Sequence, residues 1–197
     1  MKFLSKSRDS KILSSGITYQ EGRAENNLKL RQHLLAEQKN FCAYTEKFIE
    51  GLDSCEVEHF DSSKKYNDNY FNYYAVIRKA NQYKKDEQYQ DASFFETLFF
   101  QNKQEFAARI QYLSEGVYEE TDEKDTEAAE LIDFLGFNNP VLSDERKNHI
   151  RRLKNIFSVA KFSKEKQKEY LLNHKRELSF ITAIEVELGI NLSKFYE

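Results

Sequence analysis

The sequence predicts a mainly α-helical α+β chain with one small centre built from two strands and a helix. Two observations carry this. A single Pro and six Gly are too few turn-formers for an all-β protein, whose hairpins need them throughout. Alternation of apolar and polar residues, the mark of a half-buried strand, is confined to Cys55-Glu56-Val57-Glu58-His59-Phe60, whereas the chain beyond Asn81 reads as helical.

In order, Met1 to Gln20 has no clear period and predicts an irregular or partly extended lead-in. Leu28, Leu30, Leu34, Leu35 and Phe41 then recur near helical spacing, which predicts a helix from about Asn26 to Gln38 stopped at Asn40. Gly51-Leu52-Asp53 is a turn signal ahead of the strand. The polar stretch Asp61 to Asn69 reads as a loop. Tyr70 to Ile77 is rich in strand formers, with a helical turn around Asn72 as the open alternative.

Ala92 to Leu113 reads as a buried element followed by a helix, with Phe94, Phe95, Leu98, Phe99, Phe100, Phe106 and Ile110 as its apolar side. The acidic run from Glu119 to Asp125 reads as a solvated loop or helix start. A helix over Thr126 to Leu135 closes at Gly136. Ser143-Asp144-Glu145 caps a basic helix in which Arg146, Lys147, Arg151, Arg152 and Lys154 surround Ile150, Leu153, Ile156 and Phe157. A final helix spans about Lys175 to Leu188 and stops at Gly189. The 197 residues fit one domain, with a site-bearing core at about 38–90 and a helical part at about 92–197.

With 32% charged and 40% hydrophobic residues, the composition is that of a folded chain. Two Cys make no disulfide framework and point to a reducing, cytoplasmic setting. No apolar run approaches the roughly 18 residues of a membrane span, and the N-terminus has no apolar stretch of signal-peptide length. A net charge of -3 does not itself mark a nucleic-acid binder. The basic helix is either a solvated face or a surface for a phosphate backbone.

The residues that carry chemistry cluster between Glu58 and Lys84. Hydrolysis of a phosphodiester needs an activated water and something to neutralise the phosphate. A neutral His supplies the first as general base, and a divalent metal supplies the second. Mg²⁺ keeps several waters, so one carboxylate and one amide oxygen suffice from the protein, and Glu58 and Asn81 offer them. His59 is the base candidate, and Asn72 is placed to hold its tautomer. On residue chemistry alone, a structural His with two polar Asn neighbours is the competing reading.

The order Glu58-His59, Asn72, Asn81 and Lys84, intervals included, resembles the ββα-metal signature of HNH endonucleases. The stretch from Leu34 through Gln38 to Cys42-Ala43-Tyr44-Thr45-Glu46 resembles the lead-in of one HNH branch, and Ile132 to Arg146 resembles its C-terminal part. That branch includes the HNH partners of ATPases in Septu-type and retron-linked anti-phage defence. The likeness covers roughly residues 30 to 155.

The resemblance implies that His59 is the general base, Asn72 the positioning residue and Glu58 and Asn81 the ligands of Mg²⁺ or Mn²⁺. It makes Lys84 and Lys85 phosphate contacts, DNA rather than RNA the expected substrate, and an ATPase the expected partner, with no membrane involved. Many relatives bind a structural zinc through two Cys pairs. Here those positions are Cys42, Thr45, Ile77 and Ala80, so zinc is not expected. The alternatives are a catalytically silent HNH-shaped binding or scaffold module, and a helical interaction protein with a coincidental motif.

Overall fold

Residue alternation sets the architecture around the candidate site. In the computed structural model, which describes residues 1–51, 53–65 and 67–196, strand β1 (Cys55–His59) pairs antiparallel with β2 (Tyr73–Ile77). The register puts His59 opposite Tyr73 and Cys55 opposite Ile77. Leu52, from the expected turn before β1, lies outside the described residues; Asp53 N there donates to Glu50 O at 2.9 Å. Both readings of the segment around Asn72 hold, one after the other. A 3-10 turn at Tyr70–Asn72, capped by Asn69, leads directly into β2. The short helix α3 (Arg78–Asn81) follows without a linker.

Neighbouring elements fix the two strands. Helix α2 (Ala24–Glu37) ends beside β2, and Lys39 and Asn40 after it take positive φ. The buried Gln38 amide then acts as an extra rung on β2: its Oε1 accepts from Ala75 N, and its Nε2 donates to Ala75 O, both at 2.8 Å. A buried amide that satisfies main-chain groups in both directions is worth keeping, because each unpaired group would cost about 1–3 kcal/mol. Cys42 lies next to this edge, and its Sγ accepts from Ile77 N at 3.4 Å. At the other end of β1, Phe60 enters an aromatic cluster with Phe94, Phe95, Phe100 and Phe134, at centroid distances of 4.4–6.1 Å. The residue after His59 is therefore the anchor that pins the strand end to the core.

The fold is α+β and mainly helical. It departs from the sequence reading between residues 92 and 125. The buried element expected there is the short helix Phe94–Thr97 (α4), and the helix after it is Lys103–Arg109 (α5), which stops short of Leu113. Ile110–Leu113 (β3) and Val117–Glu120 (β4) form an antiparallel hairpin where helix and acidic loop were expected. Tyr112 and Tyr118 are buried on one face of that hairpin while the Gln111 and Glu119 side chains pair on its outer face, so packing outweighs the acidic composition.

Helix α6 (Thr126–Phe134) follows, and Gly136 after it takes a φ of 61°. Helix α7 (Pro140–Val159) begins earlier than expected, because Asn139 rather than Ser143 caps it. Its Arg146 is buried and donates to the carbonyls of Gly116 and Phe137. Helix α8 (Lys164–Asn173) is separate. The expected last helix splits into a 3-10 turn at Lys175–Leu178 and helix α9 (Ile181–Leu188), with the short α10 (Ser193–Tyr196) beyond. The lead-in is irregular apart from α1 (Lys11–Ser15). No helix among the described residues is long and apolar enough to cross a membrane.

Candidate active site

Glu58 and His59 are consecutive at the end of β1 and are both nearly buried, at 8% and 6% exposure. Consecutive strand residues diverge, so the two side chains meet different partners.

On the His59 side, Nδ1 lies 2.6 Å from Asp68 Oδ2. With a carboxylate as acceptor, Nδ1 carries a proton, which in a neutral imidazole leaves the lone pair on Nε2. Asp68 Oδ2 also accepts from Asn72 Nδ2 at 2.7 Å, and Oδ1 accepts from the Tyr73 hydroxyl at 2.7 Å. Asn72 closes the connecting loop as well: its Oδ1 accepts from Asp61 N at 2.7 Å and its Nδ2 donates to Asp61 O at 3.0 Å. The hydrogen bond that orients His59 thus comes from Asp68, and Asn72 holds Asp68. This corrects the direct role expected of Asn72. The loop between the strands is long enough to bring an acid back under the imidazole, and the Asn side chain fixes its course.

His59 Nε2 is buried without a hydrogen-bond partner among the described residues. Tyr19 packs edge-on against the ring at 4.7 Å and Tyr73 does so at 5.4 Å, while Tyr19 N donates to the Tyr73 hydroxyl at 3.3 Å. The N-terminal segment therefore covers the imidazole.

On the Glu58 side, the buried ammonium of Lys84 bonds Glu58 Oε1, the carbonyls of His59 at 2.8 Å and Phe60 at 3.2 Å, and Asp86 Oδ1 at 2.9 Å. Burial pushes the Glu58 carboxyl up, and Lys84 opposes that push. Asn81 Nδ2 donates to Glu56 Oε1 at 3.2 Å, and a side-chain hydrogen bond from Asn81 also eases the charge on Glu58. Arg78 pairs with Glu56 at 3.2 Å. Helix α3 thus faces the acidic side of β1 because it starts as soon as β2 ends.

The candidates thus fall into two groups at the end of β1: His59 with Asn72 through Asp68, and Glu58 with Lys84 and the Asn81-bearing helix. Lys85 joins neither: its ammonium pairs with Asp133 at 2.6 Å, and its main-chain N bonds Phe134 O at 2.9 Å. Lys84 is at the centre, but its side chain is only 1% exposed and held by carboxylates, so it is not presented to a phosphate as expected. Sequence reading missed Asp68, Asp86 and Tyr19. The one signal for Asp68 is an acid in the loop between the two strands, four residues before Asn72.

Among the described residues no group of three or more His, Cys, Asp or Glu is placed to hold a metal ion. The Lys84 ammonium takes Glu58 Oε1, so a divalent ion held by Glu58 and Asn81 would have to displace that cation. Compared with known proteins, the chain matches no family model, no curated relative and no solved structure.

Proposed function

We propose that this chain is a metal-dependent endonuclease of HNH type that hydrolyses phosphodiester bonds, DNA more readily than RNA. The observation that carries the reading is His59 itself: its Nδ1 is tied to a buried carboxylate and its Nε2 is left bare, which is how a neutral imidazole is poised as a base. The hairpin that leads straight into the helix bearing Asn81 supports it, since this is the ββα arrangement the sequence resemblance implies.

In this mechanism His59 Nε2 takes a proton from water as the water oxygen attacks phosphorus and the leaving ester oxygen departs. Asp68 stabilises the imidazolium that forms. Glu58 and Asn81 would hold the divalent ion, which supplies positive charge to the phosphate when bound. Tyr19 has to move aside for substrate to reach Nε2, because it packs on the ring. Placement in an anti-phage complex with an ATPase partner rests on the same resemblance and is part of the proposal.

The test is cleavage of plasmid DNA and of total RNA by wild type and His59→Ala with Mg²⁺, Mn²⁺ or EDTA, with and without a candidate ATPase. Metal-dependent cleavage that disappears in His59→Ala is expected. Equal cleavage by the two proteins, or none under any condition, sinks the reading.

A further inference from the structure

The basic face expected on α7 is largely tied up: Lys147 pairs with Asp144, Arg152 with Glu177 and Lys154 with Glu187, and Arg146 is buried. A different set of cations lines a cleft of about 1140 Å³ between the N-terminal segment, the end of α2, the Tyr70–Asn72 turn and the start of α5.

Four of these cations have no carboxylate bonded to them. Lys6 Nζ bonds the carbonyl of Tyr73 and lies 4.3 and 4.0 Å from the ring centroids of Tyr70 and Tyr74. Lys39 Nζ bonds the carbonyl of Phe195. Arg8 and Lys11 are exposed and make no ion pair among the described residues. Carbonyls and ring faces offer partial charges only, so the cleft keeps a positive field. Of the acids in its walls, Glu37 is held by Ser10 Oγ, and Asp9 and Glu105 are exposed. Burial holds the Lys6 amine down to about 7, and the Glu37 carboxylate opposes that shift.

The cleft also adjoins the candidate active site. Tyr70 and Phe71 line it, and the next residue, Asn72, holds Asp68. Lys6 grips the main chain of Tyr73, whose ring packs on His59.

We infer that this cleft seats the phosphodiester backbone of a nucleic-acid strand along Arg8, Lys11 and Lys39, and leads it past the Tyr70–Asn72 turn towards His59. The route to His59 rests on the nuclease reading; the polyanion seat does not.

Binding of a labelled oligonucleotide to the full chain in a His59→Ala background, read by fluorescence anisotropy over a range of salt, tests the inference. Arg8→Gln with Lys11→Gln alters two exposed side chains and leaves the core untouched. Weakening of about tenfold is expected, with the slope of log K against log salt reduced by about 0.7–0.9 for each lost phosphate contact. Arg151→Gln with Lys166→Gln, exposed cations outside the cleft, should leave both quantities unchanged. The inference is overturned if wild type binds no oligonucleotide, if the cleft pair binds like wild type, or if the outer pair loses as much. Displacement of the strand by ATP or by polyglutamate at equal charge overturns it too, in favour of a nucleotide or an acidic protein. Cleavage at an unchanged KM by the Arg8→Gln, Lys11→Gln enzyme sinks the cleft and leaves the nuclease reading. Cleft-dependent binding by a chain that never cuts does the reverse.

Discussion

Replacing Asp68 by Asn separates charge from shape at the His59 dyad. Asp68 accepts from His59 at 2.6 Å and from Asn72 and Tyr73 at 2.7 Å each. An Asn can keep its oxygen towards His59 and Asn72 and turn its NH₂ to the Tyr73 hydroxyl oxygen. The imidazole tautomer and the loop then survive, and only the negative charge is lost. Hydrogen bonds to charged groups contribute about 1.5–3 kcal/mol against about 1 for neutral ones, so each of the three bonds weakens by about 0.5–2 kcal/mol, offset by no longer burying a charge. Catalysis should suffer too, because the imidazolium formed on proton transfer faces a neutral amide. General-base assistance is worth about 10²–10⁴-fold, so single-turnover cleavage should slow by that factor, equivalent to about 3–5 kcal/mol in the barrier. The assay compares wild type, Asp68→Asn, His59→Ala and the double variant at saturating metal, with thermal melts as the folding control. Because the two residues act as one unit, the double variant should be no slower than His59→Ala. Asp68→Asn cleavage within about threefold of wild type beside an inactive His59→Ala would refute the dyad. So would two effects that multiply.

Gly136 has a φ of 61°, and a Cβ there would lie 2.8 Å from Tyr83 O and 2.9 Å from Tyr83 Cβ. Gly136→Ala should therefore destabilise by about 2 kcal/mol or more in urea unfolding and displace the segment that carries Lys84, lowering cleavage; a change under about 0.5 kcal/mol contradicts this. Lys84→Met removes the ammonium from Glu58, so Mn²⁺ binding followed by electron paramagnetic resonance should tighten about tenfold in folded protein, and unchanged affinity argues that the ion does not sit on Glu58. Burial lowers the Lys6 amine from its ordinary 10.5 to about 7, so between those pH values the unfolded chain binds more protons and stability rises with pH. From pH 7 to 9.5 wild type should gain up to about 3 kcal/mol more than Lys6→Met in urea unfolding, and parallel curves would show that Lys6 is not desolvated.

The centre was legible in the sequence wherever local spacing encodes it. Alternation marked β1, and strand and turn preferences marked Tyr70 to Ile77. Gly136 closed its helix as read, because a left-handed residue is a local requirement. The β3–β4 hairpin was not legible: each strand has four residues, too few to show a period, and what decides them is the burial of Tyr112 and Tyr118.

Only the tertiary structure decided which charges meet. Asp68 is one of several polar residues in a loop until the two strands pair and bring it beneath His59. Lys84 and Lys85 are neighbours of the same type, yet one is buried on Glu58 and the other pairs with Asp133 on a different helix. Arg8, Lys11 and Lys39 are unremarkable in sequence and share a cleft only because the N-terminal segment folds back along α2. Periodicity records which face of an element turns inward. It carries no information on which distant side chain neutralises a charge, and burial makes that partner decisive.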